Sequence, residues 1–446
     1  MKCLIIAAGK GRRLSKLGRP KPLVSLFGLT LIERVILTAR KSGIDDFYVV
    51  TGYKGEKVRR FLNKFSQKRG IKITHIINEE WERGNGLSVL KAKGLLKDEN
   101  FILLMGDHLF DEKILIKMKD LQIQDGEVIL ATDYNTSSNC LVDIKDVTKV
   151  LVRDGRIVDI GKDIKEYNAY DTGIFLCSPV IFDVIEEAIA CSGESSLSAS
   201  IRLLAKRGKV RPFDIKDAFW IDVDDEKAFK KAQRSLTERL KKPSDGPISR
   251  HINRWLSLKI TKYILKTNVT PNQISLFSFI LSLIASLFFF LGGYINLATG
   301  AVLAQMSSII DGCDGEVARL KHMESDFGKW LDAVLDRYAD AFLLGGLTWY
   351  AYSLIPSPLS LIIGFLAITG TFVNSYTADK YDGLMRKKAD GHYLRIGRDI
   401  RIFIIFIGAL INKPLLTLLF IAILMNIENI RRIGILYKFR EFKFNW

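Results

Sequence analysis

From residue 1 to about residue 235, short apolar runs alternate with amphipathic charged stretches: KCLIIAA, LIERVILTARKSG, DDFYVVTGY, GEKVRRFLNKFSQKRG and IKITHII. Short continuous apolar runs suit buried strands, and the charged stretches repeat apolar positions at helical spacing. The pattern therefore predicts an α/β sheet with helices on its faces. Two later runs, FILLMGD and EVILATD, read as strands that end at a carboxylate. Ligands of open α/β sheets gather at the carboxyl ends of strands, which places Asp107 and Asp133 beside a crevice. The segment KKPSDGPIS at 241–249 holds two prolines and a glycine, a composition that breaks helical periodicity, and a boundary is expected there.

The second half reads differently. RHINRWLSLKITKYILK is basic and amphipathic, and its Trp and Lys/Arg suit the plane of a membrane surface, although an ordinary linker helix has the same pattern. Six apolar segments follow, at 272–291, 295–316, 329–352, 357–378, 399–411 and 414–430. The expected organisation is a domain over 1–240, a linker and juxtamembrane helix over 241–268, and an all-α six-helix transmembrane bundle over 269–446. An even count puts both ends of the bundle on one side. The loop from Lys380 to Arg401 holds seven Lys/Arg and the tail after 430 holds five, whereas the alternate loops hold one between them. Basic loops stay inside, so the first domain and the C-terminus are expected to be cytoplasmic on a multi-pass protein of the cell membrane.

Composition changes this picture little. The 446 residues carry 66 Lys plus Arg against 49 Asp plus Glu, a formal charge of +17. Membrane topology and the handling of anions account for the excess, and no nucleic-acid partner is needed. The five cysteines are scattered and odd in number, with no CxxC pair, which argues against a zinc ribbon and a disulfide framework and for a reducing compartment. MKCLIIAAGKG begins like a signal peptide, but its apolar stretch is only about six residues long and runs into Gly and Arg; it reads as a first strand.

AAGKGRRL at 7–14 follows that strand and leads to PKPL at 20–23. Gly9 and Gly11 let the backbone fold closely around a phosphate chain, and Lys10, Arg12, Arg13 and Lys21 supply cations to it. The whole string resembles the signature of nucleotidyltransferases that make NDP-sugars and CDP-alcohols. The resemblance implies a Rossmann-like domain in which the glycine-rich loop and Arg13 hold a triphosphate and Lys21 holds a phosphorylated acceptor, both acting in catalysis. It further implies that Asp107 in MGDH and Asp222 in FWIDVDD hold one Mg²⁺, that Gly84, Asn85 and Gly86 form a base-recognition turn, and that Asp171 and Thr172 in YDTG meet the acceptor's hydroxyls. The residues alone do not say which base is read.

The string starting at 311, DGCDGEVARLKHMESDFGKWLDAVLD, fits D-x2-D-G-x2-A-R-x8-G-x3-D-x3-D without a gap. Asp311 and Asp314 are three apart and Asp332 and Asp336 four apart, so each pair projects from one helix face. Four carboxylates in apolar helices must converge on something positive, and one or two hard divalent cations such as Mg²⁺ satisfy them. Gly315, Ala318 and Gly328 are small enough for close helix approach beside a diphosphate. The string resembles the signature of the CDP-alcohol phosphotransferases, six-helix membrane enzymes. By that resemblance Asp311, Asp314, Asp332 and Asp336 hold metal, Arg319 lies with the small residues at the nucleotide, and Asp336 also takes the proton of the attacking hydroxyl. Asn272 in VTPNQIS resembles a family element near the nucleotide, and equally a polar helix cap. Lys380, Arg395, Arg398 and Arg401 can chelate an acceptor phosphate or simply anchor the cytoplasmic side.

One domain that makes a CDP-alcohol, fused to one that consumes it, resembles the bifunctional inositol-1-phosphate cytidylyltransferase and di-inositol phosphate phosphate synthase family over essentially the whole chain. That resemblance implies CTP and inositol 1-phosphate as substrates, CDP-inositol as the intermediate, a lipid environment, and a phosphorylated di-inositol phosphate product in an osmolyte pathway. A homodimer paired through membrane helices is a further expectation. Two other readings stay open at this point: a fused synthase acting on another polyol or a lipid, and a transporter with a nucleotide-sensing domain.

Overall fold

The computed structural model describes residues 1–11, 13–14, 19–137, 139–240, 246, 248–385 and 397–441. The chain divides into two compact units, Met1–Leu236 and Thr237–Trp446.

In the first unit β1 (Lys2–Ala7), β2 (Asp46–Thr51), β3 (Lys72–Ile77) and β4 (Phe101–Met105) run parallel in the order β4-β1-β2-β3. Strand alternation sends Cys3 and Ile5 into one core and Leu4 into the other. The first core is closed by α1 (Leu31–Lys41) and α2 (Gly55–Arg69), whose buried positions Val35, Ile36, Val58 and Leu62 recur at helical spacing. Helix α1 starts where it does because Thr30 and Glu33 form a reciprocal capping box. On the opposite face pack α4 (Val180–Ser192) and α5 (Leu197–Lys206), while the short α3 (Asn85–Leu90) lies between β3 and β4 in sequence.

The antiparallel half of the nine-stranded sheet is organised by β9 (Ala169–Cys177), which borders β4. β9 also pairs with β6 (Val128–Asp133) and with β7 (Lys149–Arg153), the latter followed by β8 (Arg156–Gly161). β10 (Val210–Asp214) runs parallel to β6. A separate ribbon pairs β5 (His108–Phe110) with β11 (Trp220–Asp222), with Asp222 directly opposite His108. Only Gly106 and Asp107 separate β4 from β5, so the ribbon stands at the carboxyl end of β4 and brings Asp107, His108 and Asp222 together.

The second unit is helical: α6 (Arg254–Ile264), α7 (Pro271–Leu291), α8 (Tyr294–Leu320), α9 (Asp326–Leu354), α10 (Pro358–Met385), α11 (Arg398–Leu410) and α12 (Pro414–Glu441). Its core includes Phe289, Leu297, Leu347, Tyr350, Leu418 and Met425. Where six apolar spans were expected, three helices among the described residues are long and apolar enough to cross a membrane: α7, and the stretches Pro358–Leu384 of α10 and Pro414–Tyr437 of α12. The physical reason is plain in the others. α8 and α9 carry the acidic residues of the motif, and α11 has only 13 residues.

The basic amphipathic stretch is a helix, and one of its faces is committed to protein. Glu316 of α8, fully buried, accepts from Arg254 Nη1 at 2.8 Å, Thr261 Oγ1 at 2.7 Å and Ser257 Oγ. Trp255 and Tyr263 remain exposed on α6, with Lys259 Nζ 3.5 Å from the Trp255 ring centroid. Glu316→Ala removes the buried carboxylate that Arg254, Ser257 and Thr261 bond together. The expected loss of stability is about 3–5 kcal/mol, seen as a lower unfolding temperature in detergent, whereas Trp255→Ala is expected to stay within about 1 kcal/mol. Equal effects of the two variants would show that Glu316 does not hold the helix.

Candidate active sites

The first site forms where β4 ends. Lys21 is held down by a short helical turn, Lys21–Leu23, and its Nζ pairs with both Asp107 and Asp224 and lies 3.8 Å from Asp222. Gly11 has φ +58°, and a Cβ there would strike the Lys21 side chain, so the glycine is needed for the lysine's approach. Burial alone would lower the Lys21 pKa; Asp107, Asp222 and Asp224 outweigh it and raise it, so the ammonium stays charged. Arg13 pairs with Asp146 and, at 2.9 Å, with Asp224. Lys10 lies over the Tyr53 ring, and Gly9 is exposed with nothing near the place of a Cβ.

Beside these groups opens a cavity of about 320 Å³, whose walls include Arg13, Asn85, Asp107, Lys162, Asp171 and Asp222. Oxygen or nitrogen atoms of Asp107, His108 and Asp222 lie within 4.8 Å of one another. Asp222 Oδ1 is buried with no hydrogen-bond partner among the described residues. An orphaned carboxylate oxygen beside two further donors fits a divalent cation. Burial opposes a charge on His108, yet Asp222 and Asp107 push its pKa up to about 10. A dication held by the same two carboxylates would oppose that charge. Burial raises the Asp171 carboxyl to about 6.

Several expected contacts are made by the chain to itself. The Thr172 side chain is fully buried and donates to the Ala131 carbonyl at 2.8 Å, so it cannot meet an acceptor hydroxyl; of the expected pair only Asp171 lines the cavity. A Cβ at Gly84 or Gly86 would strike the backbone at Ser195, so these glycines permit a close approach to residues 195–197. Asn85 accepts from Leu197 N at 2.8 Å while still lining the cavity. Asp133 is buried and accepts from Trp220 Nε1, Asn135 N and Asn139 Nδ2, a structural role. Sequence reading passed over His108, Asp146, Lys162 and Asp224. The acidic run of WIDVDDE was the available signal for Asp224; Asp146 and Lys162, 2.7 Å apart, meet only through the fold.

The second site lies within the helical unit. Carboxylate oxygens of Asp311 and Asp314 on α8 and Asp332 on α9 lie within 4.8 Å of one another. Ser278 of α7 donates to Asp311 at 3.0 Å and Ser275 to Asp314. In the sequence these serines look like small residues in an apolar span; in the fold they orient the acids. An all-oxygen set of three carboxylates fits a hard cation of the Mg²⁺ type. Gly328 faces Asn272, whose Oδ1 would be 3.1 Å from a Cβ there, and Gly315 lies against Arg319, which reaches the Leu240 carbonyl at 3.4 Å. Ala318 is half-buried on α8 beside them in sequence.

Asp336, expected as ligand and base together, stands apart from the three-carboxylate group. Arg398 Nη1 pairs with it and with Asp311 Oδ2, the latter at 2.9 Å. Asp340, one turn farther along α9 and nearly fully buried, takes Arg401 Nη2 at 2.8 Å and Arg398 Nε at 3.4 Å. Arg401 also reaches Ser375 Oγ at 3.2 Å and is 2% exposed, so it is closed to an acceptor phosphate. Lys380 is exposed and donates to Tyr376 Oη at 2.9 Å, and Arg395 lies outside the described residues. Of the expected phosphate cluster, Arg398 is the described arginine that touches the motif acids. Sequence gave no sign of Asp340, which lies one helical turn past the motif.

Residues 3–199 match the MobA-like NTP transferase domain family, and residues 268–428 match the CDP-alcohol phosphatidyltransferase family. A protein of Rubrobacter xylanophilus named bifunctional IPC transferase and DIPP synthase is 34% identical over 96% of this chain and 95% of its own. A protein of the same name from Aquifex aeolicus is 33% identical over 98% of both chains. Among solved structures, the inositol-1-phosphate CTP transferase from T. maritima is 26% identical, covering 52% of this chain and 95% of that one with a TM-score of 0.46.

Proposed function

Since the chain belongs to the family of bifunctional IPC transferases and DIPP synthases, we propose that its two sites catalyse consecutive steps, the first making CDP-inositol from CTP and inositol 1-phosphate. The second transfers phosphoinositol from CDP-inositol to another inositol 1-phosphate and releases CMP. The observation that carries this reading is the presence of two separate acid clusters, one in each unit, each with donors close enough to share a cation.

In the first step an oxygen of the inositol phosphate attacks the α-phosphorus of CTP, and the bond to the bridging oxygen breaks, so pyrophosphate leaves. Lys21 and Arg13 neutralise the two phosphate groups being brought together, and the glycine-rich loop folds around the triphosphate. Asn85 and Asp171 contribute to the cavity that holds the substrates. Asp107 and Asp222 would hold a divalent cation. In the second step a hydroxyl of the acceptor attacks the distal phosphorus of CDP-inositol, its proton passes to Asp336, and the bond to CMP breaks. Arg398 pairs with Asp336 and orients it for that proton. Asp311, Asp314 and Asp332 would hold one or two cations there. When bound, a dication at either site neutralises the phosphate oxygens on which negative charge grows.

We place the first unit, both sites and the C-terminus on the cytoplasmic side, with α7–α12 forming the membrane bundle and α8 and α9 keeping their acids turned inward. Chelation of divalent cations is expected to stop both pyrophosphate and CMP release, and added Mg²⁺ to restore both. Persistence of either product in the chelated protein would remove the metal from that step.

A further inference from the structure

The two steps above leave His108 without a task, although the fold fixes its ring from three directions. Pairing of β5 with β11 sets it opposite Asp222. Its Nδ1 lies 2.7 Å from the Thr172 carbonyl oxygen, which can only accept, so Nδ1 carries a hydrogen and Nε2 is the nitrogen turned to the site. Nε2 is 3.5 Å from Asp222 Oδ2 and 3.8 Å from Asp107 Oδ1. Gly173 sits in a bulge of β9 at φ +74°, and any Cβ there would collide with the ring. The glycine of YDTG therefore serves to seat this imidazole. Asp222 Oδ1, 3.8 Å from Lys21 Nζ, has no hydrogen-bond partner among the described residues, which leaves it able to take a further positive partner.

We propose that His108 Nε2 is the third protein ligand of the divalent cation at the cytidylyl-transfer site, and that it turns this site toward borderline cations such as Mn²⁺ or Co²⁺. The inference rests on reading that site as a metal site. Imidazole nitrogen suits the first-row transition ions, whereas Mg²⁺ strongly prefers oxygen. A ligating imidazole typically donates its other ring N–H to a carbonyl or carboxylate, which fixes tautomer and aim. The Thr172 carbonyl does this for His108. The helical unit's set, Asp311, Asp314 and Asp332, includes no histidine among the described residues, so one chain presents two donor sets of different softness.

Electron spin-echo measurements on the full chain in detergent, loaded with Mn²⁺, separate the two sites. Directly bound imidazole modulates the echo at ¹⁴N frequencies, and an all-oxygen set does not. The wild type is expected to show this modulation. His108→Gln should lose it and bind Mn²⁺ at that site about tenfold more weakly, while Asp107→Asn should lose both the modulation and one bound Mn²⁺. If the wild type lacks ¹⁴N modulation while Asp107→Asn still loses one Mn²⁺, the metal site stands and His108 is merely an ion-pair partner of Asp222. If Asp107→Asn binds as much Mn²⁺ as the wild type, the metal reading of the first site falls together with this inference.

Discussion

Replacing Asp336 with Asn is expected to lower CMP release from supplied CDP-inositol and inositol 1-phosphate by about 10³-fold, while pyrophosphate release from CTP continues unchanged. The amide keeps the volume of the carboxylate but cannot take the acceptor's proton. Asp336 stands outside the three-carboxylate group and is paired with Arg398. The carboxylates proposed to hold a cation, Asp311, Asp314 and Asp332, are untouched by the change, so cation binding should persist. Product analysis with CDP-inositol supplied directly measures this step by itself. Retained CMP release would take the base role away from Asp336.

The converse variant should have an effect as large. Asp107→Ala removes one of the grouped donors at the carboxyl end of β4 and one of the carboxylates on Lys21. Loss of the cation forfeits several kcal/mol of charge stabilisation, so pyrophosphate release is expected to fall by about 10³-fold. Transfer from supplied CDP-inositol should proceed at the wild-type rate, because the second cluster draws all of its carboxylates from α8 and α9. Loss of both activities in a folded Asp107→Ala protein would contradict two separate sites.

What the sequence disclosed depended on whether the information was local. Strand and helix periodicity is local, and KCLIIAA, DDFYVVT and FILLMGD form β1, β2 and β4. The acid motif is local too, because helical spacing alone turns Asp311 and Asp314 to one side. Pairings between distant elements were not legible. Arg398 and Asp336 are 62 positions apart, and only the packed bundle shows that the arginine faces the motif acids. Thr172 looked like a ligand because it lies beside Asp171, but strand alternation turns its hydroxyl into the sheet. Glu316 occupies an unconstrained place in the motif, and its burial against α6 depends on a helix more than 50 residues earlier. Among the described residues, three of the six expected spans, α7, α10 and α12, are long and apolar enough to cross a membrane by themselves, whereas α8 and α9 carry the motif's acids and are less apolar.

The central claim is that one chain makes CDP-inositol and then consumes it. Its most direct test uses the purified, detergent-solubilised protein with CTP, Mg²⁺ and inositol 1-phosphate, following pyrophosphate and CMP separately over time. The account predicts pyrophosphate first, CMP after a lag, and a water-soluble phosphorylated di-inositol product. Pyrophosphate with no CMP and no di-inositol product, from a protein whose helical unit is folded, would contradict it.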